Sequence, residues 1–252
     1  MPRSPARLAA LPQLPTVWEG AVLAGEERCV ATGHAALDAQ LPGGGWPVGS
    51  LVEVLQSEPG RHDWQLMLPA LAATAAAQAG PVVLVEPPHP PFGPALAAQG
   101  LPAERLLCVH GPKPSARLWA AEQALRCADV AAVLAWLPQA KNAELRRLHL
   151  AASQHHKLLF VFRGVAARNE SSPARVRLLL EGTDTMQLRI LKRRGPPLET
   201  PLQLPAQPAR LAALLASRPS RAPVVPLTPL APPAPQPAPR RSHVLDRPVP
   251  HA

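Results

Sequence analysis

The stretch with the clearest potential for chemistry is QSEPGRHDWQL, residues 56–66, which lies between a β-rich run and a helical run. A phosphate-binding loop at such a junction needs glycines whose N–H groups surround the β-phosphate, a lysine that reaches the β/γ oxygens, and a Ser or Thr hydroxyl for magnesium. The corresponding positions here are Gly60, Arg61, His62 and Asp63. Arg61 could contact phosphate, but it restores neither the glycine geometry nor the hydroxyl. We therefore expect no catalytic residue, no cofactor and no metal at these degenerate positions.

The elements that must position this loop alternate along the chain. Residues 32–41 predict a short helix, which the glycine run 43–45 ends. Strands are then predicted at Leu51–Leu55, 81–88, Arg105–Val109, Val130–Leu137 and Leu158–Arg163, and helices at Leu66–Ala79, Pro94–Gly100, Ser115–Cys127 and Ala143–His155. Such regular alternation is typical of an α/β fold with a doubly wound, mostly parallel sheet.

The C-terminal half of the predicted core changes pattern. Residues 175–182 and 186–195 predict two antiparallel strands around the turn 182–184, and the alternation in the second strand is typical of a half-exposed edge. We predict an N-terminal arm at 1–28, a core at 29–204 and a tail at 205–252. The chain has 35 prolines, and the tail's Pro-rich composition favours a largely disordered, extended chain.

A family resemblance is carried by TGHAALDAQLPGGGWPVGSLVEV, residues 32–54. This stretch resembles the RecA family, in which the same order of small, acidic and apolar positions leads into the phosphate loop. The resemblance implies a RecA-like fold and further catalytic positions, which this chain does not keep. The water-activating glutamate would fall at Pro88, near Glu86 and His89, and the metal-holding aspartate at Trp136. We interpret Glu86 as a strand-end carboxylate, His89 as a loop residue and Trp136 as a packing residue.

Within the RecA relatives, the chain resembles the ImuA family of translesion-synthesis accessory proteins. The matching words are VWEG (17–20), residues 32–54, RLWAAEQALRCADVAAVLAWLP (117–138), LRRLHLAA (145–152), LLFVFR (158–163), SSPARVRLLL (171–180) and LKRRGPP (191–197). The resemblance implies a non-catalytic accessory protein of error-prone DNA synthesis in the bacterial DNA-damage (SOS) response. The partners that it implies are an ImuB-type Y-family polymerase relative, RecA and an error-prone polymerase α subunit.

Basic residues supply the candidate contacts with DNA or a partner. They are Arg146, Arg147, Arg163, Arg168, Arg175, Arg177, Lys192, Arg193 and Arg194. Arg163 lies at or next to the family's γ-phosphate sensor, and the loop after it corresponds to a mobile DNA-binding loop in RecA. A solvated basic face is the alternative. Arginine outnumbers lysine throughout the chain, which is typical of GC-rich coding, and this lowers the weight of the net charge of +9 as a sign of DNA binding.

Other compositional features narrow the class of protein. Cys29, Cys108 and Cys127 have no CxxC or zinc-ligand spacing, so we expect three small buried side chains rather than disulfides or a metal site. The absence of a long apolar run and of a leader-like N-terminus predicts a cytoplasmic protein without membrane contact. Alternatives to the ImuA resemblance are a SulA-type cell-division inhibitor on the same fold, an active RecA-type ATPase, and a DNA-binding module without a protein partner.

Overall fold

The computed structural model describes residues 28–183 and 185–205. In chain order the elements are β1 Cys29–Val30, α1 Ala35–Asp38, β2 Trp46–Pro47, β3 Ser50–Gln56, α2 Asp63–Ala77, β4 Val82–Val85, α3 Gly93–Ala97, β5 Leu106–Val109, α4 Pro114–Arg126, β6 Ala132–Trp136, α5 Asn142–His155, β7 Leu158–Gly164, β8 Val176–Glu181, β9 Met186–Lys192 and β10 Leu202–Leu204. The predicted arm, tail and turn residue Asp184 lie outside the described residues, apart from Arg28 and Pro205, so those predictions stay predictions.

Within the described residues, eight strands form one sheet in the order β10-β9-β8-β3-β7-β6-β4-β5. The six strands from β8 to β5 run parallel, while β9 pairs antiparallel with both β8 and β10. Helices on both faces connect the parallel strands from β3 to β7, while a 3₁₀ turn, Val165–Asn169, leads from β7 to β8. The predicted α/β class, with a mainly parallel sheet and antiparallel C-terminal strands, is confirmed.

Two apolar cores cover the faces of the sheet. Val52 and Val54 of β3 pack with α2 on one face, and Leu51 of the same strand packs with α4 and α5 on the other. The side chain of Phe160 is fully buried on the α2 face, where its ring meets Trp46 edge-on at 5.4 Å. Strands that are buried on both faces read as continuous apolar runs, which is why their positions were predictable.

Gly33 has a packing role in this chain. Gly33 has φ +83°, and a Cβ atom added to it would lie 2.3 Å from Cβ of Pro69 in α2. A side chain at this position would therefore meet both backbone strain and a steric clash. The segment before β2 can lie against α2 only because residue 33 is glycine.

Three details of the sequence-based prediction are wrong. Strand β9 is not an edge strand, because β10 covers it. Helix α2 begins at Asp63, three residues before the predicted start. Cys108 and Cys127 are exposed and Cys29 is only partly buried, so the cysteines are not the expected buried side chains. Cys108 is exposed because β5 is the last strand of the sheet at that end.

Candidate functional site: a pocket closed by its own carboxylate

The residues predicted to be degenerate meet at the carboxyl ends of the parallel strands. The loop 57–62 joins β3 to α2, and the ends of β4, β6 and β7 lie beside it. Open α/β sheets bind ligands at this edge, where successive crossovers leave a crevice. The loop 57–62 thus lies where a phosphate-binding loop would lie in such a sheet. What it can bind depends on the side chains around it.

Asp63 occupies the anion-binding position of this loop. Its Oδ2 atom accepts a hydrogen bond from Nε1 of Trp136 at 2.9 Å and one from the backbone N–H of Gly60 at 3.2 Å. The side chain stands in the first turn of α2, where the helix dipole favours a negative charge. A protein carboxylate therefore takes the loop amide that a phosphate would otherwise use.

The surroundings of Asp63 are unusually dry for a carboxylate. The residue is 1% exposed. Burial raises its pKa to about 6, against the opposing effect of the hydrogen bonds from Trp136 and Gly60. The amide of Gln56 lies close enough to lower this pKa slightly, yet its two polar atoms and Oδ1 of Asp63 complete no hydrogen bond. Ionised Asp63 is thus stabilised incompletely.

Trp136 fills the end of β6. Its indole stacks on the ring of Phe162 with centroids 4.6 Å apart and an interplanar angle of 9°. The space that remains between these rings and the loop is a cavity of about 170 Å³, lined in part by Gln56, Glu86 and Arg117. Ligand pockets for small molecules usually measure roughly 300–1,000 Å³, so this cavity is small for a nucleotide. The packing role predicted for Trp136 agrees with this geometry.

The two titratable residues nearest to the position of the water-activating glutamate, Glu86 and His89, do not form an acid-base pair at the loop. Glu86 accepts a hydrogen bond from the Gly111 N–H at 3.0 Å and pairs with Nε of Arg117 at 3.2 Å. It is held as a strand-end carboxylate, as predicted. His89 is exposed, and its ring lies so close to Gly60 that a Cβ atom on that glycine would approach its Cδ2 to 2.7 Å.

Arg61 and His62 are also engaged within the protein. A guanidinium nitrogen of Arg61 lies 2.6 Å from a carboxylate oxygen of Glu58 in the same loop. His62 adopts a left-handed conformation with φ 62°, and its Nε2 lies 3.2 Å from the carbonyl oxygen of Gly182 in the β8–β9 hairpin. The residue nearest to the missing lysine is thus paired with a neighbouring carboxylate.

On the opposite face of the sheet, a buried ion network joins β3, β7 and β8. Glu53 is fully buried, and its two carboxylate oxygens bind Nη1 of Arg163 at 2.9 Å and Nε of Arg177 at 2.6 Å. Arg163 also binds Glu170 at 2.7 Å. Burial alone would lower the pKa of Arg163, but the hydrogen bonds to Glu170 and Glu53 outweigh it and raise that pKa. The network holds all three strands in register.

The same network fixes the turn that follows β7. Arg177 donates hydrogen bonds to the carbonyl oxygens of Ala167 at 2.9 Å and Glu170 at 3.1 Å. The segment that corresponds to a mobile DNA-binding loop in the RecA resemblance is here a 3₁₀ turn, Val165–Asn169, with its carbonyls bonded to a buried arginine. Both guanidinium groups are buried and bonded within the chain, which does not favour the predicted contact of Arg163 and Arg177 with DNA or a partner. That contact stays a prediction.

The remaining predicted basic contacts fall into three groups. Arg147 pairs with Glu122 of α4, and Arg193 donates to the backbone and side chain of Gln40. Arg168 is exposed on the 3₁₀ turn. The last four are Arg146, Arg175, Lys192 and Arg194. The charges of Arg175 and Lys192 both act on His149 of α5, Arg175 and Arg194 line one hollow, and Arg146 stands one helical turn before His149.

Sequence reasoning missed two features of this site. Glu53 was included in the RecA-like word, but no role was assigned to it. Its position between Leu51 and Leu55 on one face of a buried strand implies a buried charge that needs cations. Gln56 was also overlooked, and no sequence signal would have shown that its amide lies beside Asp63.

Residues 49–158 match the family model of the cell division inhibitor SulA. The match covers less than half of the chain and spans β3 to the start of β7, including the loop, Asp63 and Trp136. The SulA family belongs to the SOS response, so the similarity supports the predicted link to DNA damage. It supports the SulA-type alternative better than the ImuA resemblance. The curated proteins contain no match.

In the described ranges, no helix combines the length and apolar character needed to cross a membrane.

Proposed function

We propose that this protein is a non-catalytic component of the bacterial SOS response that acts by binding a protein partner. The observation that carries the proposal is Asp63, whose carboxylate holds the Gly60 amide and the Trp136 indole where a nucleotide phosphate and its metal would have to sit. A second negative charge beside this buried carboxylate would be repelled in a low-dielectric site. The loop has no lysine, and Asp63 stands where a magnesium-binding hydroxyl would be needed, so the loop lacks the groups that ATP turnover requires.

The finer role that we propose is that of an accessory protein in translesion DNA synthesis. Its support is the ImuA resemblance, which extends over residues 17–197 and includes β8, β9 and the residues after them, beyond the end of the SulA match. The ImuB-type polymerase relative, RecA and the error-prone polymerase α subunit are the partners to test.

Inhibition of cell division is the second candidate, and the family match favours it. The similarity to SulA covers the loop and helices α2 to α5. On this proposal the chain would bind a cytoskeletal GTPase of cell division. Exposed apolar side chains are available for either kind of partner: Phe92 is 71% exposed before α3, and Trp119 is 63% exposed on α4.

Expression of the full chain in cells that lack the ImuB-type protein separates the two roles. Filamentation in these cells is expected for a cell-division inhibitor. Damage-induced mutagenesis that requires both the chain and the ImuB-type protein, without filamentation, is expected for a translesion accessory protein. If neither phenotype appears and the purified chain captures none of the named partners, the proposal of a partner-binding SOS protein fails.

Substitutions at two exposed residues show which face of the sheet binds the protein partner. Leu96 of α3 belongs to the core on the α2 side of the sheet, whereas Leu118 of α4 belongs to the core on the other side. Phe92→Ser and Trp119→Ser therefore alter opposite faces, and each serves as the control for the other. A binding site on one face predicts that one variant loses capture of the partner while the other keeps it.

A further inference from the structure

Four cations lie together on a side of the molecule that the closed pocket does not use. The basic patch consists of Arg146 on α5, Arg175 just before β8, and Lys192 and Arg194 at the end of β9 and beyond it. The pocket is formed at the carboxyl ends of the parallel strands, while the patch lies near the amino ends of β3 and β8. All four side chains are exposed.

Several contacts hold the patch together. The Leu51 N–H donates to Nδ1 of His149 at 3.1 Å, and the carbonyl oxygen of Leu51 accepts from the Arg175 N–H at 3.0 Å. Arg146 stands one helical turn before His149, so it lies on the same side of α5. These bonds bring Arg175 and the turn of α5 that carries Arg146 to the start of β3, on the side where β8 pairs.

The other half of the patch is joined through β8 and β9. Nζ of Lys192 donates to the carbonyl oxygen of Ser172 at 3.0 Å, three residues before Arg175. Arg175 and Arg194 line one shallow hollow with Pro42 and Pro47. Backbone pairing and short contacts thus fix the relative positions of the four cations.

The positive charge of the patch affects His149, which lies among its members. Burial lowers the pKa of His149, and the positive charges of Arg175 and Lys192 lower it further. Within the described part of the chain, Arg146, Lys192 and Arg194 form no ion pair, whereas Arg147, Arg163 and Arg177 all do. The patch is therefore a concentration of positive charge on a rigid surface.

We propose that the basic patch binds the phosphate backbone of duplex DNA without sequence preference. Clustered Arg and Lys side chains bind DNA by replacing condensed counterions, and the net charge of +9 adds long-range attraction. Among the described residues, the large aromatic side chains that are exposed are Phe92, before α3, and Trp119, on α4. Neither belongs to the patch, so the patch offers no aromatic platform on which single-stranded bases would stack. The occupant that fits is the duplex backbone, and this proposal goes beyond the choice of protein partner above.

The test measures the salt dependence of binding to a short fluorescent DNA duplex, with the full chain. The test variant carries Arg146→Gln, Lys192→Gln and Arg194→Gln. The control variant carries Lys113→Gln, Arg126→Gln and Arg189→Gln, which removes the same charge from exposed positions outside the patch. Arg126 can be replaced because Glu122 keeps its pair with Arg147.

The slope of log affinity against log salt is expected to become shallower by about 2.7 in the test variant, because each lost duplex phosphate contact removes about 0.9. Affinity at low salt should fall more than about tenfold. The control variant should keep the slope of the unaltered chain. Circular dichroism melts confirm folding, and Arg146→Glu alone, at an exposed helix position, provides a second variant that should also weaken binding.

Three results would overturn the proposal: equal losses in the two triple variants, a slope that the patch substitutions leave unchanged, or tighter binding of single strands than of the duplex. A patch that instead binds an acidic protein segment would give the second result. Failure of this test leaves the partner-binding proposal intact, since filamentation, mutagenesis and capture are measured separately.

Discussion

Replacing Asp63 with asparagine should stabilise the protein at neutral pH. Burial raises the pKa of Asp63 from 3.8 to about 6, so the folded state binds a proton more tightly than the unfolded state does. The stability that protonation provides is fully present below about pH 4 and is lost as pH rises through about 6. A shift of about two pKa units at about 1.4 kcal/mol per unit corresponds to about 3 kcal/mol. Asparagine is uncharged at every pH and keeps an oxygen that accepts from Trp136.

Urea unfolding followed by tryptophan fluorescence between pH 4 and pH 8 measures this effect. The variant Asp63→Asn should match the unaltered chain near pH 4 and exceed it by up to about 3 kcal/mol near pH 7.5. Glu58→Gln is the matched control, because Glu58 lies in the same loop with a side chain that is 57% exposed. This control should leave the pH profile unchanged. If the free energy of unfolding changes with pH in the same way for Asp63→Asn and for the unaltered chain, then Asp63 does not carry a buried charge that lacks hydrogen-bond partners.

Three further substitutions test the packing that positions the site. Glu53→Ala leaves two buried arginines without their shared carboxylate and should lower the unfolding free energy by about 3–5 kcal/mol in urea titrations; a loss below about 1 kcal/mol would contradict a buried network. Gly33→Ala introduces a Cβ atom against Pro69 and should cost more than about 1 kcal/mol, seen as a lower melting temperature. Phe160→Ala creates a cavity beside Trp46 and should cost about 3–5 kcal/mol by the same urea assay, so an unchanged midpoint would show that this ring is not central to the core.

The central strands could be predicted because a strand that is buried on both faces appears in the sequence as a continuous apolar run. Strands β3, β6 and β7 appear as apolar runs bounded by turn residues, and their bounds agree with the structure to within two residues. Strand β10 could not be predicted from Leu202–Leu204, because three residues between two prolines carry no periodic pattern. The mistaken edge at β9 follows directly from this omission.

Prediction of the candidate site from the sequence was limited in a different way. Residue types alone indicated that Gly60 to Asp63 lack the chemistry of a phosphate loop. The sequence could not show that Asp63 would turn inward to bond Trp136, because these residues are 73 positions apart. It also could not separate the buried Arg163 and Arg177 from the exposed Arg146 and Arg175, since the difference depends on Glu53 in a neighbouring strand.

The central claim is that this site does not turn over nucleotide, and an ATP hydrolysis assay with magnesium tests it most directly. Phosphate release from the purified full chain should equal the buffer blank, with and without DNA, at protein concentrations that would reveal even slow turnover. The variant Trp136→Asp, which places a carboxylate at the end of β6, should also remain inactive because the loop still lacks a lysine and still has Asp63 where a magnesium-binding hydroxyl would be needed. Magnesium-dependent, DNA-stimulated hydrolysis by the unaltered chain would contradict the account.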